Sequence, residues 1–507
     1  MNLESWQYTI IIVVIYALFV LWIGTGRWTK ASSDHMDDYF KVGPGFGFLV
    51  LYLGMAGGFH TAFAIPGSMG FYHSHGVAFA ANILWTVFTP LVMLYYVGSR
   101  ITCLGRKFNY ITPADMLTDY FGDGKFRAFI ALYILSCCIP LMTANITGPA
   151  ILLSAGTENH ITKFAATLIM GALVFIYVTT SGIRGVTWTT VAQAIWMFIA
   201  IWAAGFWCLS LIDGDLLGLF NKVKEINPSM LTLPGRKGMA TPQWWLTWPV
   251  FGIAFYWAIL PRSFMFYYSA KDVKTVQKIG LTVGFYLMIM FLPAMVIGFT
   301  AFAYYPDMAN SDASFPTLLA EHAPAWFAGI LVAGGLAAGM SSLDADTNAN
   351  SAMLTKDVYS RFIKKDAPDS HYIKVGRVFV FLLVAITVLA ADKDWGLVTL
   401  MIGITASMIV QLLPAVLAVT VPMKRVWFTK AGVTAGIVAG LIGSFGVRFY
   451  GGDFLPAGVR YDPSLWGLVI NVPVALLVSR FTEDPDSAAV ARIRAALDDE
   501  FRPSKKN

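Results

Sequence analysis

The chain has 507 residues, of which 57% are apolar and only 13% charged, with a net charge of +6 and a mean hydropathy of +0.63. Soluble domains carry roughly 25% charged residues, so this chain lacks the polar groups to cover a globular surface. Disorder, a coiled coil and a nucleic-acid-binding body are excluded on the same ground, and the composition predicts a polytopic, all-α membrane protein.

A helix needs about 20 apolar residues to cross a ~30 Å hydrocarbon layer. On that ruler the sequence predicts thirteen spans, at 9–26, 46–70, 77–98, 128–156, 164–180, 187–212, 245–261, 279–305, 326–355, 375–391, 396–422, 431–447 and 465–480. The runs are continuous rather than alternating, which excludes barrel strands. With the N-terminus outside, 28 of the 36 Lys and Arg residues fall on inward-facing segments, as the positive-inside rule requires. The expected layout is a transmembrane body over 1–480 and a cytoplasmic tail over 481–507. In the tail, Asp486 or Ser487 can cap a helix whose Val490, Ile493, Leu497 and Phe501 share one face. The four cysteines show neither metal spacing nor a disulfide framework.

Function in such a chain is expected where the apolar pattern fails. The second span holds Gly54, Gly57, Gly58, Pro66, Gly67 and Gly70 around His60 and Thr61. Close packing through small residues explains one or two glycines. Six helix-weakening residues plus a histidine favour a broken helix, whose released carbonyls need another partner, such as a cation. The seventh span sets Pro249 and Gly252 among Trp248, Phe251 and Trp257. Spans two and seven lie five apart and therefore enter from opposite sides. That is the five-plus-five inverted-repeat plan of secondary transporters, with repeats over about 46–212 and 245–422 and with 9–26, 431–447 and 465–480 peripheral.

The ninth span carries Asp344 and Asp346, each costing about 2.5–3.5 kcal/mol at mid-membrane on insertion scales. They must face protein, water or a cation, or lie near the cytoplasmic end. Ala338, Ser341 and Ser342 stand at i, i+3 and i+4 and share a helix face. One carbonyl and two hydroxyls there suit a small hard cation, by analogy with oxygen-ligated metals. Alternatively, both serines bond back to carbonyls one turn earlier.

With these motifs the sequence resembles the sodium/solute symporter family, which has the LeuT-type inverted-repeat fold. Ala338-Gly339-Met340-Ser341-Ser342 followed by Leu354-Thr355-Lys356-Asp357-Val358-Tyr359 looks like the family's sodium-site helix and its cytoplasmic exit. Ser181 to Gln193 looks like the family signature between spans five and six, and Asp37-Asp38-Tyr39-Phe40 is similar to the stretch before the first core helix. The resemblance implies a sodium site made by the backbone carbonyls of Gly54 and Gly57, the Ala338 carbonyl and the Ser341 and Ser342 hydroxyls. Many members carry Asp where this chain has Thr190, an Asp that assists inward sodium exit. Thr190 marks that route here, and Asp344 is expected to compensate.

The implied function is sodium-coupled symport of a small organic solute by alternating access, without enzymatic activity or an organic cofactor. Expected solute contacts are Gly58, Phe59, His60 and Thr61 in span two, Trp85 and Thr89 in span three, and Phe251 and Trp257 in span seven. His60 also suits a helix–helix hydrogen bond, and the aromatics also suit packing. The run Gly57 to Phe63 looks like a monocarboxylate-transporting branch, which implies acetate, pyruvate or lactate. No intramembrane Arg or Lys is evident to meet that carboxylate, so hydroxyls, freed N–H groups or sodium would have to serve. Two alternatives stay open: a proton-coupled carrier using His60 or Asp344, and a non-transporting solute sensor. An intramembrane enzyme is disfavoured, since no HExxH occurs and no histidine pairs with the serines at a recognisable spacing.

Overall fold

The computed structural model describes residues 3–27, 29, 36–40, 45–61, 65–212, 214–238, 240–243, 259–393, 403–421, 425–456 and 461–502. Among these the only β pairing is one bridge, Phe46 to Ala270. The rest of the regular structure is helical, as the unbroken apolar runs require.

Besides a single turn at Met36–Phe40, the helices are α1 (Ser5–Gly24), α2 (Phe48–Phe59), α3 (Pro66–His75), α4 (Ala78–Val92), α5 (Ser99–Phe108), α6 (Pro113–Phe121), α7 (Lys125–Gly156), α8 (Lys163–Ser210) and α9 (Leu216–Ile226). They continue with α10 (Pro261–Tyr268), α11 (Val273–Tyr304), α12 (Ser314–His322), α13 (Ala325–Met353), α14 (Asp369–Ala391), α15 (Gly403–Thr420), α16 (Lys430–Phe454), α17 (Pro463–Ser479) and α18 (Ser487–Phe501). Wider π-helical turns join α4 to α5 at Met93–Gly98 and extend α13 over Leu354–Ile363. Polar residues flanking the apolar runs set several starts. Thr162, Asp272 and Thr429 accept from the backbone N–H three residues on, at 3.2, 2.7 and 3.1 Å, which satisfies donors a helix start leaves orphaned.

Nine helices among the described residues are long and apolar enough to cross a membrane, against thirteen predicted spans. The difference has four sources. The second span is split into α2 and α3, α8 joins the fifth and sixth spans, most of 245–261 lies outside the described residues, and α17 has 17 residues. A straight α8 of 48 residues would be about 72 Å long, more than twice a ~30 Å hydrocarbon layer. It is interrupted at Gly182, where φ is 55° and ψ is −146°. A side chain there would set a Cβ 2.4 Å from the Tyr39 carbonyl oxygen, so only glycine fits.

α13 is the axis of the body. Every residue from Leu331 to Met353 is buried, and the helix packs against α1, α7 and α8. The approach to α7 is closest at Gly339, where a Cβ would lie 2.2 Å from the Asn145 carbonyl oxygen and 2.3 Å from Pro149. Outer helices present large apolar side chains, among them Ile15, Phe206, Phe285, Leu389 and Ile442, on exposed faces. Such faces suit contact with lipid.

Candidate functional site

The second span breaks where glycine, histidine and proline predict it. α2 stops at Phe59, His60 takes non-helical angles (φ −78°, ψ 88°), and helix resumes at Pro66. The freed end is met by α13. Ser341 Oγ donates to the Gly57 carbonyl at 3.0 Å and the Ala338 carbonyl at 3.1 Å. Ser342 Oγ lies 3.0 Å from the Gly58 carbonyl and 3.3 Å from that of His60. Four carbonyls and two hydroxyls of two helices thus meet, and the residues bearing them are buried. Each hydroxyl keeps acceptor lone pairs, so rotating it exchanges a hydrogen bond for a hard-cation contact.

Of the residues predicted for the ion, Gly57, Ala338, Ser341 and Ser342 come together. Gly54 sits one turn earlier, facing Phe266 and Thr187, while the serine hydroxyls bond the carbonyls of Gly57, Ala338, Gly58 and His60 instead. Thr190 packs beneath Gly57, its carbonyl 2.8 Å from where a Gly57 Cβ would stand, while its hydroxyl donates to the Val186 carbonyl at 2.7 Å. Asp344 Oδ2 accepts from Tyr177 at 3.1 Å and Thr189 at 3.2 Å.

Of the residues predicted for the solute, Gly58 lies against the Phe266 ring. His60 turns its ring toward Tyr286 and Phe291 of α11, at 5.2 and 6.2 Å between centroids. Thr61 and Thr89 are buried. The Trp85 side chain, Phe251 and Trp257 lie outside the described residues.

The profile of the Sodium:solute symporter family matches residues 39–440. The chain belongs to this family. It is an integral membrane transporter with sodium as coupling ion and a LeuT-type fold. It is 24% identical to the uncharacterized symporter YhjB of Bacillus subtilis, with 94% of this chain and 98% of that protein covered. It is 25% identical to the sodium/pantothenate symporter of Haemophilus influenzae, with 68% and 71% covered. The solved outward-open, substrate-bound Na+-coupled sialic acid symporter superposes with a TM-score of 0.76 at 18% identity, covering 94% of this chain and 99% of that one.

The symporter also contains charged groups that sequence reasoning misplaced. Arg262 counts as an inner-loop cation in the sequence, yet its side chain is wholly buried. Its Nη1 donates to Asp346 Oδ2 at 2.7 Å, and its guanidinium stands 5.8 Å from the Phe59 ring centre. An interior Arg is therefore present, contrary to the expectation that none is evident. The signal available was Asp346 itself, since a buried carboxylate needs a cation. Beyond the C-terminal end of α13 a second cluster forms. Arg127 bonds Asp115 at 2.7 Å, Asp357 at 2.9 Å and Asp123 at 2.9 Å, and Lys356 bonds Asp115 at 2.6 Å. Burial pushes the Asp115 carboxyl up, but Lys356 and Arg127 outweigh it and hold it at about 2.

The tail of the symporter is helical. Asp486 caps α18 through the Ala488 N–H at 3.0 Å. Val490, Ile493 and Leu497 are buried, and α18 lies on α5 and α6. Lys107–Asp499 at 2.7 Å and Arg492–Asp119 pin it there.

Proposed function

We propose that this symporter imports a small monocarboxylate with sodium by alternating access, with its N-terminus outside and its C-terminus cytoplasmic. The observation that carries the sodium site is the meeting of Ser341 and Ser342 with the carbonyls at the α2 break. Gly57, Ala338, Ser341 and Ser342 hold the ion, with Gly54 completing the set implied by family resemblance. Sodium there would replace hydroxyl–carbonyl hydrogen bonds, tie the end of α2 to α13, and steady the outward-facing form. Solute then binds beside the break, against Gly58, Phe59, His60 and Thr61, and Trp85, Thr89, Phe251 and Trp257 are the further contacts implied by the sequence. Thr190 and Asp344 line the route by which the cation leaves inward.

The two five-span repeats, about 46–212 and 245–422, carry this site, while 9–26, 431–447 and 465–480 lie outside the core and 481–507 forms the tail. The chemistry of a carboxylate fits a buried guanidinium beside Phe59 with Nε and Nη2 unpartnered. Two proteins this chain is similar to bear the names of acids, pantothenate and sialic acid. The energetics suffice: a monocarboxylate crossing with one sodium moves as a neutral pair, and a tenfold sodium gradient worth ~1.4 kcal/mol supports roughly tenfold accumulation.

The test is uptake of a solute panel (acetate, pyruvate, lactate, a sugar, an amino acid) into proteoliposomes, with sodium or with choline, for wild type and Ser341→Ala. Sodium-dependent monocarboxylate uptake that is weakened in Ser341→Ala is expected. Equal uptake in choline overturns the coupling, and uptake confined to the sugar or amino acid overturns the solute class.

A further inference from the structure

We infer that the groove between the start of α7 and α16 binds one anionic phospholipid. The groove has a volume of about 730 Å³. Its walls are largely apolar, with Phe126 and Phe129 of α7 on one side and Val438 and Ile442 of α16 on the other. At one end stand two lysines, Lys125 in the first turn of α7 and Lys430 in the first turn of α16. Both are exposed, and among the described residues neither forms an ion pair. The acid beside Lys125, Asp123, is held by Arg127 at 2.9 Å. The Lys430 ammonium lies over the turn before α7, 3.7 Å from where a Gly122 Cβ would stand.

A lysine carries the wrong charge for the start of a helix, yet two occur at the mouth of this one groove. A phosphate placed between them meets both ammoniums and the positive ends of two helix dipoles. Trp427, 52% exposed and one turn before Lys430, marks the depth of the headgroups. From Lys430 to Ile442 α16 runs about 18 Å, close to the ~15 Å of one leaflet. An acyl chain lying on Val438 and Ile442 thus sets its phosphate level with the lysines. Ala431, Ala435 and Ala439 line the groove and recur every four residues, so they share a face of α16 and leave width for the chain.

A lipid with a neutral headgroup fills the apolar part but leaves both lysines unmatched. A second copy of this chain seated here across a two-fold axis brings four ammoniums together. On the orientation proposed above the lysine end faces the cytoplasm, where the leaflet is rich in anionic lipid. The attraction is worth on the order of fivefold in affinity per lysine and roughly 30-fold for the pair. Arg127, in the same turn as Lys125, binds Asp115 and Asp357, so the bound headgroup borders the buried charge cluster beyond α13.

Native mass spectrometry of the purified full chain, from micelles holding equal amounts of dioleoyl phosphatidylglycerol and dioleoyl phosphatidylcholine, tests this. Wild type is expected to retain one phosphatidylglycerol with a preference of roughly 30-fold. Lys125→Gln and Lys430→Gln are each expected to reduce the preference about fivefold, and the double variant to abolish it. Val438→Trp changes an exposed residue and fills the groove, so it is expected to lose the lipid with both lysines in place. Equal retention of the two lipids by wild type, or a preference that survives in the double variant, overturns the site. Full retention in Val438→Trp also overturns it, because the attraction is then to the headgroup alone. A lipid-free dimer that Val438→Trp dissociates gives the groove to a second copy and overturns the lipid. Sodium-dependent uptake is read separately, so none of these outcomes bears on the coupling ion.

Discussion

Asp344 and Asp346 are two residues apart on one buried helix, yet their surroundings differ in kind. Asp344 is met by the hydroxyls of Tyr177 and Thr189, with no cation beside it among the described residues. Asp346 is met by the guanidinium of Arg262, and further along the same chain Asp357 is met by Arg127. The upper stretch of α13, with Ser341, Ser342 and Asp344, offers oxygens without a protein counter-charge. The lower stretch closes on ion pairs within the protein. A region that must take up and release a cation cannot keep one of its own, whereas a region that must seal benefits from neutralised charge. On the proposed orientation the sealed stretch lies toward the cytoplasm, below the ion.

The contrast is breakable by substitution. The largest effect is expected from Arg262→Met, which strands the Asp346 carboxylate and should cost about 3–5 kcal/mol, read as a fall in melting temperature in detergent. The double change Arg262→Met with Asp346→Leu should recover most of that loss, because no charge is left unpaired. Asp115→Asn tests the lower cluster through pH. The carboxyl of Asp115 titrates lower in the folded protein than in the unfolded chain, so its contribution is present above pH ~4 and lost as pH falls toward ~2. Asp115→Asn should therefore be less stable than wild type near pH 6, with the gap closing in acid. Ser341→Ala should raise the sodium concentration for half-maximal uptake about tenfold with a smaller change in melting temperature, since the upper stretch serves binding more than rigidity. Arg492→Ala, which removes the exposed pair with Asp119, should cost less than ~1 kcal/mol and leave sodium affinity unchanged.

Much of this arrangement was legible in the residues. The break after Phe59 follows from glycines and a proline around His60, because each weakens a helix by a local mechanism. The shared face of Ala338, Ser341 and Ser342 follows from helical spacing alone. The tail helix follows from Asp486 and a four-residue apolar rhythm. What stayed hidden depends on contacts between distant segments. Arg262 stands at the end of an apolar run, near Lys271 and Lys274, and local sequence cannot distinguish a loop cation from one folded inward onto Asp346. Tyr16, Tyr177 and Gln193 sit in apolar stretches as ordinary packing residues, and only the tertiary fold brings the Tyr177 hydroxyl onto Asp344 and Gln193 onto Tyr16. Which carbonyls of span two face the serines was likewise beyond the sequence, since Gly58 and His60 join Gly57 through the unwinding itself.

The bare backbone of Gly339 against Asn145 and Pro149 has a mechanical consequence. Two helices in such contact have little more than a proline ring between them, so rolling or ratcheting α13 on α7 drives the Asn145 carbonyl and Pro149 into its backbone. They travel together as one chassis. The stroke that exposes cargo first to one compartment and then to the other must fall on the joints around it, the unwound link of span two foremost. An alanine at Gly339 would act as a wedge in the frame and not as a defect in the cargo's seat, slowing turnover while sodium still binds.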